Sequence, residues 1–105
     1  MEQRIKVICT QARMHRFLEN VIAPLARDYA RALSFNNYTL SFNKEHLNHN
    51  IFLNHEPLFA IKVEMLSDEY WDMASVQISL SNDFCVYIET EHEQTFRDFI
   101  RNQLS

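Results

Sequence analysis

The chain contains no glycine among its 105 residues. Glycine-rich phosphate loops, dinucleotide fingerprints and nucleophile elbows need backbone that approaches a ligand closely or takes a positive φ. None of them is expected here in standard form. Turns must rely on asparagine and aspartate, which tolerate the left-handed region best after glycine. Asn36, Asn37, Asn43, Asn48, Asn50, Asn54 and Asn82 are available for that work.

Other scarcities narrow the field further. Cys9 and Cys85 are the only cysteines, with no CxxC or Cys/His finger spacing. One disulfide is open to them, but two buried free thiols in a reducing compartment is the preferred reading. No apolar run approaches the ~18 residues of a membrane span, so none is expected. The first residues, MEQRIKVICTQARMHR, carry an acid at position 2 and no uninterrupted apolar stretch. A signal peptide is therefore not expected, and the expected location is cytoplasmic. The formal charge of −4 is modest. It argues against bulk affinity for nucleic acid while leaving room for a local basic patch.

What is present suffices for a core. Hydrophobic residues make up 47% of the chain, and a domain of this length can bury enough of them without disulfides or metals. No repeat, low-complexity tract or linker divides it, so residues 1–105 read as one domain.

The pattern begins with RIKVICT (residues 4–10), rich in β-branched side chains. It reads as a short strand, or as the first turns of the helix that follows. From Gln11 to Ser34 the period is helical: Met14, Phe17, Leu18, Val21, Leu25, Tyr29 and Leu33 form one apolar stripe. Pro24 interrupts it. A proline inside a helix removes a hydrogen bond and clashes with the preceding turn, so a kink is expected near Ile22–Ala23 with the stripe in phase across it.

After Phe35-Asn36-Asn37 the period becomes two. Tyr38, Leu40 and Phe42 alternate with polar neighbours. So do Phe59, Ile61, Val63 and Met65, then Ala74, Val76, Ile78 and Leu80, then Phe84, Val86 and Ile88. Ile51-Phe52-Leu53 adds a short apolar segment. Such alternation marks antiparallel strands with one wet face. Thr90-Glu91-His92-Glu93 fits a capping box, followed by a helical stripe of Phe96, Phe99, Ile100 and Leu104. The expected fold is α+β in two layers: an antiparallel meander of four or five strands, with a long kinked N-terminal helix and a short C-terminal helix on one face.

EHLNHNIFLNHEP (Glu45 to Pro57) is the densest chemistry in the chain. Metal ligands must lie within ~2.0–2.2 Å of one point. On an extended segment His49 and His55 stand roughly 20 Å apart, at ~3.3 Å per residue. His46 and His49 share a face only if Glu45–His49 makes a helical turn, and they still need a third ligand from Glu45, His15 or His92. The reading is therefore strand ends and turns, with no metal, no cofactor and no catalytic residue assigned. Glu56 beside His55, and the acids Asp68, Glu69 and Asp72, read as solvated.

Two features rise above this background. Arg13, Arg16, Arg27 and Arg31 fall on one side of the long helix, over ~27 Å at 1.5 Å per residue. They offer a ridge for phosphates or an acidic partner, against the plain reading of a solvated helix face. The second feature is the outer sheet face, where Lys62, Glu64, Ser75, Gln77, Ser79, Ser81, Tyr87 and Glu89 are expected with Thr39 and Ser41. Beside it, LSDEYWDM (Leu66 to Met73) sets Tyr70 and Trp71 among Asp68, Glu69 and Asp72. A loop aromatic among charges suits a partner's pocket, and it also suits closure of the core.

By subtraction, the functional expectation is a non-catalytic protein-binding module of inhibitor, immunity, anti-defence or adaptor-chaperone type. The partner residues would be Glu64, Asp68, Glu69, Tyr70, Trp71, Asp72, Gln77 and Tyr87. Its acids would meet a basic site on a toxin or a nucleic-acid-handling protein and speed association. In architecture the chain is similar in kind to small α+β immunity and anti-defence proteins of bacteria and phages, though no motif ties it to one family. The alternative is nucleic-acid binding through the arginine helix; a small metal-dependent enzyme using His46 and His49 stands third. Monomer and homodimer both remain open.

Overall fold

A computed structural model describes residues 3–33, 37–66 and 72–104. Five strands form one antiparallel sheet: β1 (Gln3–Thr10), β2 (Leu40–Glu45), β3 (Asn48–Leu53), β4 (Glu56–Met65) and β5 (Met73–Leu80). Their spatial order is β1-β5-β4-β3-β2. Strands β2 to β5 run as the expected meander, and β1 closes the far edge against β5. RIKVICT is thus strand, not the first turns of a helix.

Helix α1 (Gln11–Phe17) follows β1 without a loop. Thr10 makes this possible: extended at ψ 154°, it accepts the Arg13 backbone N–H on Oγ1 at 3.2 Å. That is an N-cap on the last residue of a strand. A single π-helical turn, Leu18–Ile22, joins α1 to α2 (Ala23–Ala32). The Ala23 N–H reaches back five residues to the Leu18 carbonyl, and the backbone is right-handed helical at both ends of the turn. The wider turn gives room where the ring of Pro24 would strike the carbonyl four residues earlier. The extra residue also shifts the stripe. Ile22, Ala26 and Ala30 are buried beyond it, while Val21 and Leu25 are only half-buried and Leu33 is 39% exposed. The expectation of a stripe in phase across Pro24 is corrected accordingly.

A second correction concerns residues 82–93. The segment expected as a strand through Phe84, Val86 and Ile88 is a helix, α3 (Asn82–His92). Ser81 caps it, its Oγ accepting the Phe84 N–H at 3.2 Å, and Asp83 suits the positive end of the helix dipole. The buried side chains are Phe84, Cys85 and Ile88, a helical spacing, and Val86 is 53% exposed. Thr90 therefore lies in the last turn of α3 and caps nothing. Glu93 ends the helix in the left-handed region, at φ 52°. The last helix, α4 (Phe96–Leu104), starts from Thr95, whose Oγ1 accepts the Asp98 N–H. The Glu89 carboxylate accepts the Phe96 N–H at 3.1 Å.

All the helices lie on one side of the sheet. The buried cluster joins Ile5 and Cys9 of β1, Ile61 of β4 and Val76 and Ile78 of β5 to Met14, Ile22, Phe84, Ile88, Phe99, Ile100 and Leu104. Both thiols are free and buried, as the composition suggested. No described helix is long and apolar enough to cross a membrane.

The turns show how a chain without glycine folds back. Asn54 and His55, at φ 50° and 71°, make a two-residue turn with both residues left-handed, the conformation for which Asn-Gly is usually chosen. Asn54 pins it to the start of the hairpin. Its N–H donates to the Thr39 carbonyl at 2.8 Å, and its Oδ1 accepts the Thr39 N–H at 2.8 Å. At the other hairpin His46 alone takes positive φ, at 55°.

Candidate interaction surface

Among the described residues the helix layer leaves the other face of the sheet bare, and the register fixes what stands there. Arg4, Ser79, Ala60, Asn50 and Asn43 form one cross-strand row. Lys6, Gln77 and Lys62 form the next, and Ile8, Ser75 and Glu64 a third. Residues directly opposite in such rows have Cβ atoms about 5 Å apart, so these side chains touch or nearly touch. Glu64 and Gln77 thus stand on the expected face, one row apart. Asp72 is exposed where the chain enters β5, at the same end as Glu64; its carbonyl accepts the Gln11 N–H at 3.1 Å.

The bare face differs from the sequence expectation in three ways. Because β1 is a strand, it adds Arg4, Lys6 and Ile8. The middle of the face is therefore basic, with Gln77 flanked by Lys6 and Lys62, while Glu64 and Asp72 stand toward one end. Ile8 is 60% exposed in this polar field. Second, Tyr87 and Glu89 are not on this face, because α3 is a helix. The Tyr87 ring lies 5.2 Å from Tyr29 and stacks on Phe84. Burial, then Glu91 and Asp28, hold its hydroxyl above the usual tyrosine range. Third, Ser81 is the α3 cap. Asp68, Glu69, Tyr70 and Trp71 lie outside the described residues.

The four arginines do not form one ridge. Arg13 and Arg16 line a shallow hollow with Asn20, Val21 and Gln103, toward α4. Arg27 sits on the opposite flank, its guanidinium 5.5 Å from the centre of the Phe42 ring on β2. Arg31 pairs with Asp28 at 3.3 Å, both side chains largely exposed, so the pair adds little. The π turn rotates the second half of the helix away from the first, which breaks the alignment.

The histidine-rich stretch is strand and turn, and one of its histidines meets a partner from afar. The register runs Ile5, Ile78, Ile61, His49, Lys44 across the helix-facing side. His49 thus takes the place of an apolar residue in a core row. The His15 ring of α1 meets it edge-on, with centroids 5.8 Å apart and planes at 82°. Both line a small cleft of about 230 Å³ between the long helix and the β2–β3 hairpin, with Leu18, Glu19, Phe42 and Lys44. Burial first, then His15, then Lys44, hold His49 below its ordinary pKa. Among the described residues no group of three or more His, Cys, Asp and Glu is placed to hold a metal ion. Sequence reasoning left His15 unplaced. Its position beside Met14, on the margin of the apolar stripe, was the available signal.

The thiols are poor nucleophiles. Burial raises Cys9, partly offset by Arg13. Burial, the Glu89 charge and a hydrogen bond to Glu89 push Cys85 up to about 11. Compared with models of known families, with curated proteins and with solved structures, the chain matches none.

Proposed function

We propose that the protein is a non-catalytic binding module that masks a site on a protein partner with the bare face of its sheet. The observation that carries this reading is the asymmetry of the sheet: one side is covered by helices and the other is open, mixed in charge, with Ile8 protruding from it. An apolar side chain amid short polar groups is the composition of an adaptable docking surface. The Glu64–Asp72 end would meet a basic site on the partner. Lys6 and Lys62 would require an acidic or carbonyl-rich neighbour beside that site. The partner fits the inhibitor, immunity, anti-defence or adaptor-chaperone class, acting on a toxin or a nucleic-acid-handling protein.

The test is affinity capture from the native host, followed by reconstitution with the captured partner purified alone. Ile8→Glu combined with Gln77→Arg should weaken the reconstituted complex at least ~10-fold, and Glu64→Lys should slow association most at low salt. The complex should also protect β1, β4 and β5 amides from exchange. Unchanged affinity in the correctly folded double variant would sink the reading. If Arg16→Glu with Arg27→Glu abolished binding instead, or if the captured partner were a nucleic acid, the arginine helix would take over as the site.

A further inference from the structure

Among the described residues, one buried side-chain nitrogen has no hydrogen-bond partner: Nε2 of His49. An imidazole nitrogen left unpaired beneath a helix is costly unless the position needs something an apolar residue cannot give. The surroundings suggest what that is. Lys44 stands opposite on β2, the His15 ring presses from α1, Ile61 lies opposite on β4, and Glu19 of the π turn is the one acid lining the cleft. We propose that the His15–His49 contact is an acid-sensitive latch, which holds the β2–β3 hairpin against the long helix at neutral pH and releases it on acidification.

A neutral His49 ring packs edge to face with the ring of His15. A proton on His49 creates a cation that is partly desolvated and sits beside Lys44. His15 lies edge-on against it and adds to the penalty. Burial and both neighbours disfavour that charge. Glu19 is exposed to water, which screens what it can offset. The edge hairpin is the element placed to relieve the conflict. Strand β2 is an edge whose sole sheet neighbour is β3, and Ser41–Glu45 are all exposed. Thr39 and Asn54 tie the far end with two backbone-reaching bonds. Release therefore starts at the His46–Leu47 turn and stops short of Asn54. This inference is independent of the partner-binding face.

Amide exchange of the full chain, expressed as protection factors at ~pH 7.5 and ~pH 5.0, tests it. Protection of β2 and the first half of β3 should fall about fivefold or more on acidification, while β5 holds. His49→Leu should remove the difference; His46→Asn and His55→Asn, which alter only turn residues, should leave it. An acid response that persists in His49→Leu, or that is equal in β2 and β5, overturns the latch. Should His49→Leu not fold, the imidazole proton shifts of the wild-type protein decide. A titration of His49 below its ordinary 6.5, moving together with β2 amide shifts, supports the latch. A titration at or above that value overturns it.

Discussion

Strands β5 and β2 face the same helix layer and meet opposite fates. The inward side chains of β5, Ala74, Val76, Ile78 and Leu80, are at most 1% exposed. Those of β2, Leu40, Phe42 and Lys44, run from half-buried to exposed, with Phe42 at 51%. In sequence Leu40 and Phe42 alternate with polar neighbours just as Ala74, Val76, Ile78 and Leu80 do. Alternation tells which way a side chain points; it does not tell whether anything lies there to cover it. The row Ile5, Ile78, Ile61, His49, Lys44 shows the same gradient within one line of the sheet, passing from dry core to imidazole to ammonium. An inward lysine on an edge strand also discourages another strand from adding there.

The largest effect should separate these two regions directly. Ile78→Ala empties a fully buried position in the core and should cost about 2–5 kcal/mol in denaturant unfolding. Phe42→Ala removes a bigger side chain that is half in water and held by Arg27, and should cost at most about 1 kcal/mol. Similar losses for the two would mean that β2 is as firmly covered as β5, which would break the comparison.

The covered region carries a second signature, at high pH. Cys85 on α3 is 3% exposed, and its thiol pKa is raised from 9.0 to about 11. A raised pKa means that the folded chain holds the proton more tightly than the unfolded one. The associated stability is present in full below pH 9.0 and is lost as pH rises toward about 11. The loss should approach roughly 2–3 kcal/mol, since a tenfold difference in proton affinity between the folded and unfolded chain is worth about 1.4 kcal/mol. Urea midpoints across that window, compared between wild type and Cys85→Ala, isolate it from tyrosine and lysine ionisation. Parallel curves for the two proteins would show that the thiol is less enclosed than its place on the buried side of α3 implies.

Legibility followed the same divide between direction and coverage. Leu40–Phe42, Phe59–Met65 and Ala74–Leu80 were readable as strands because their apolar positions recur every second residue and nothing competes; Tyr38, read with the first of them, lies just before β2. Phe84, Val86 and Ile88 repeat at two as well, but Phe84, Cys85 and Ile88 repeat at helical spacing, and the short run suits both periods. Ser81 with Asp83 decided for the helix, a capping signal masked by the more conspicuous Thr90–Glu93. Pro24 announced an irregularity without saying which kind. A π turn and a kink both answer a missing N–H, and only the packing of Ile22 and Ala26 chooses between them. Glu64 and Gln77 were placed correctly because strand parity is local. Tyr87 was lost with α3. The meeting of His15 with His49 joins residues far apart in sequence, and no local pattern encodes it.

The smallest effects belong to the edge hairpin, at its glycine-free turn. Asn54→Ala deletes the acceptor for the Thr39 N–H and puts a methyl side chain at φ 50°. It should cost about 1–2 kcal/mol, the sum of a lost capping bond and left-handed strain. His55→Gly works the other way. The native φ of 71° strains a histidine but not a glycine, and Asn-Gly is the favoured pair for this turn. Glycine also loosens the unfolded chain, so the net gain should be only about 0.5 kcal/mol. It should appear as slower amide exchange confined to β2, β3 and the start of β4, with β5 unchanged. A gain spread evenly over the sheet would mean that the edge hairpin and the covered strands unfold as one unit, and the contrast between β2 and β5 would then be one of exposure alone.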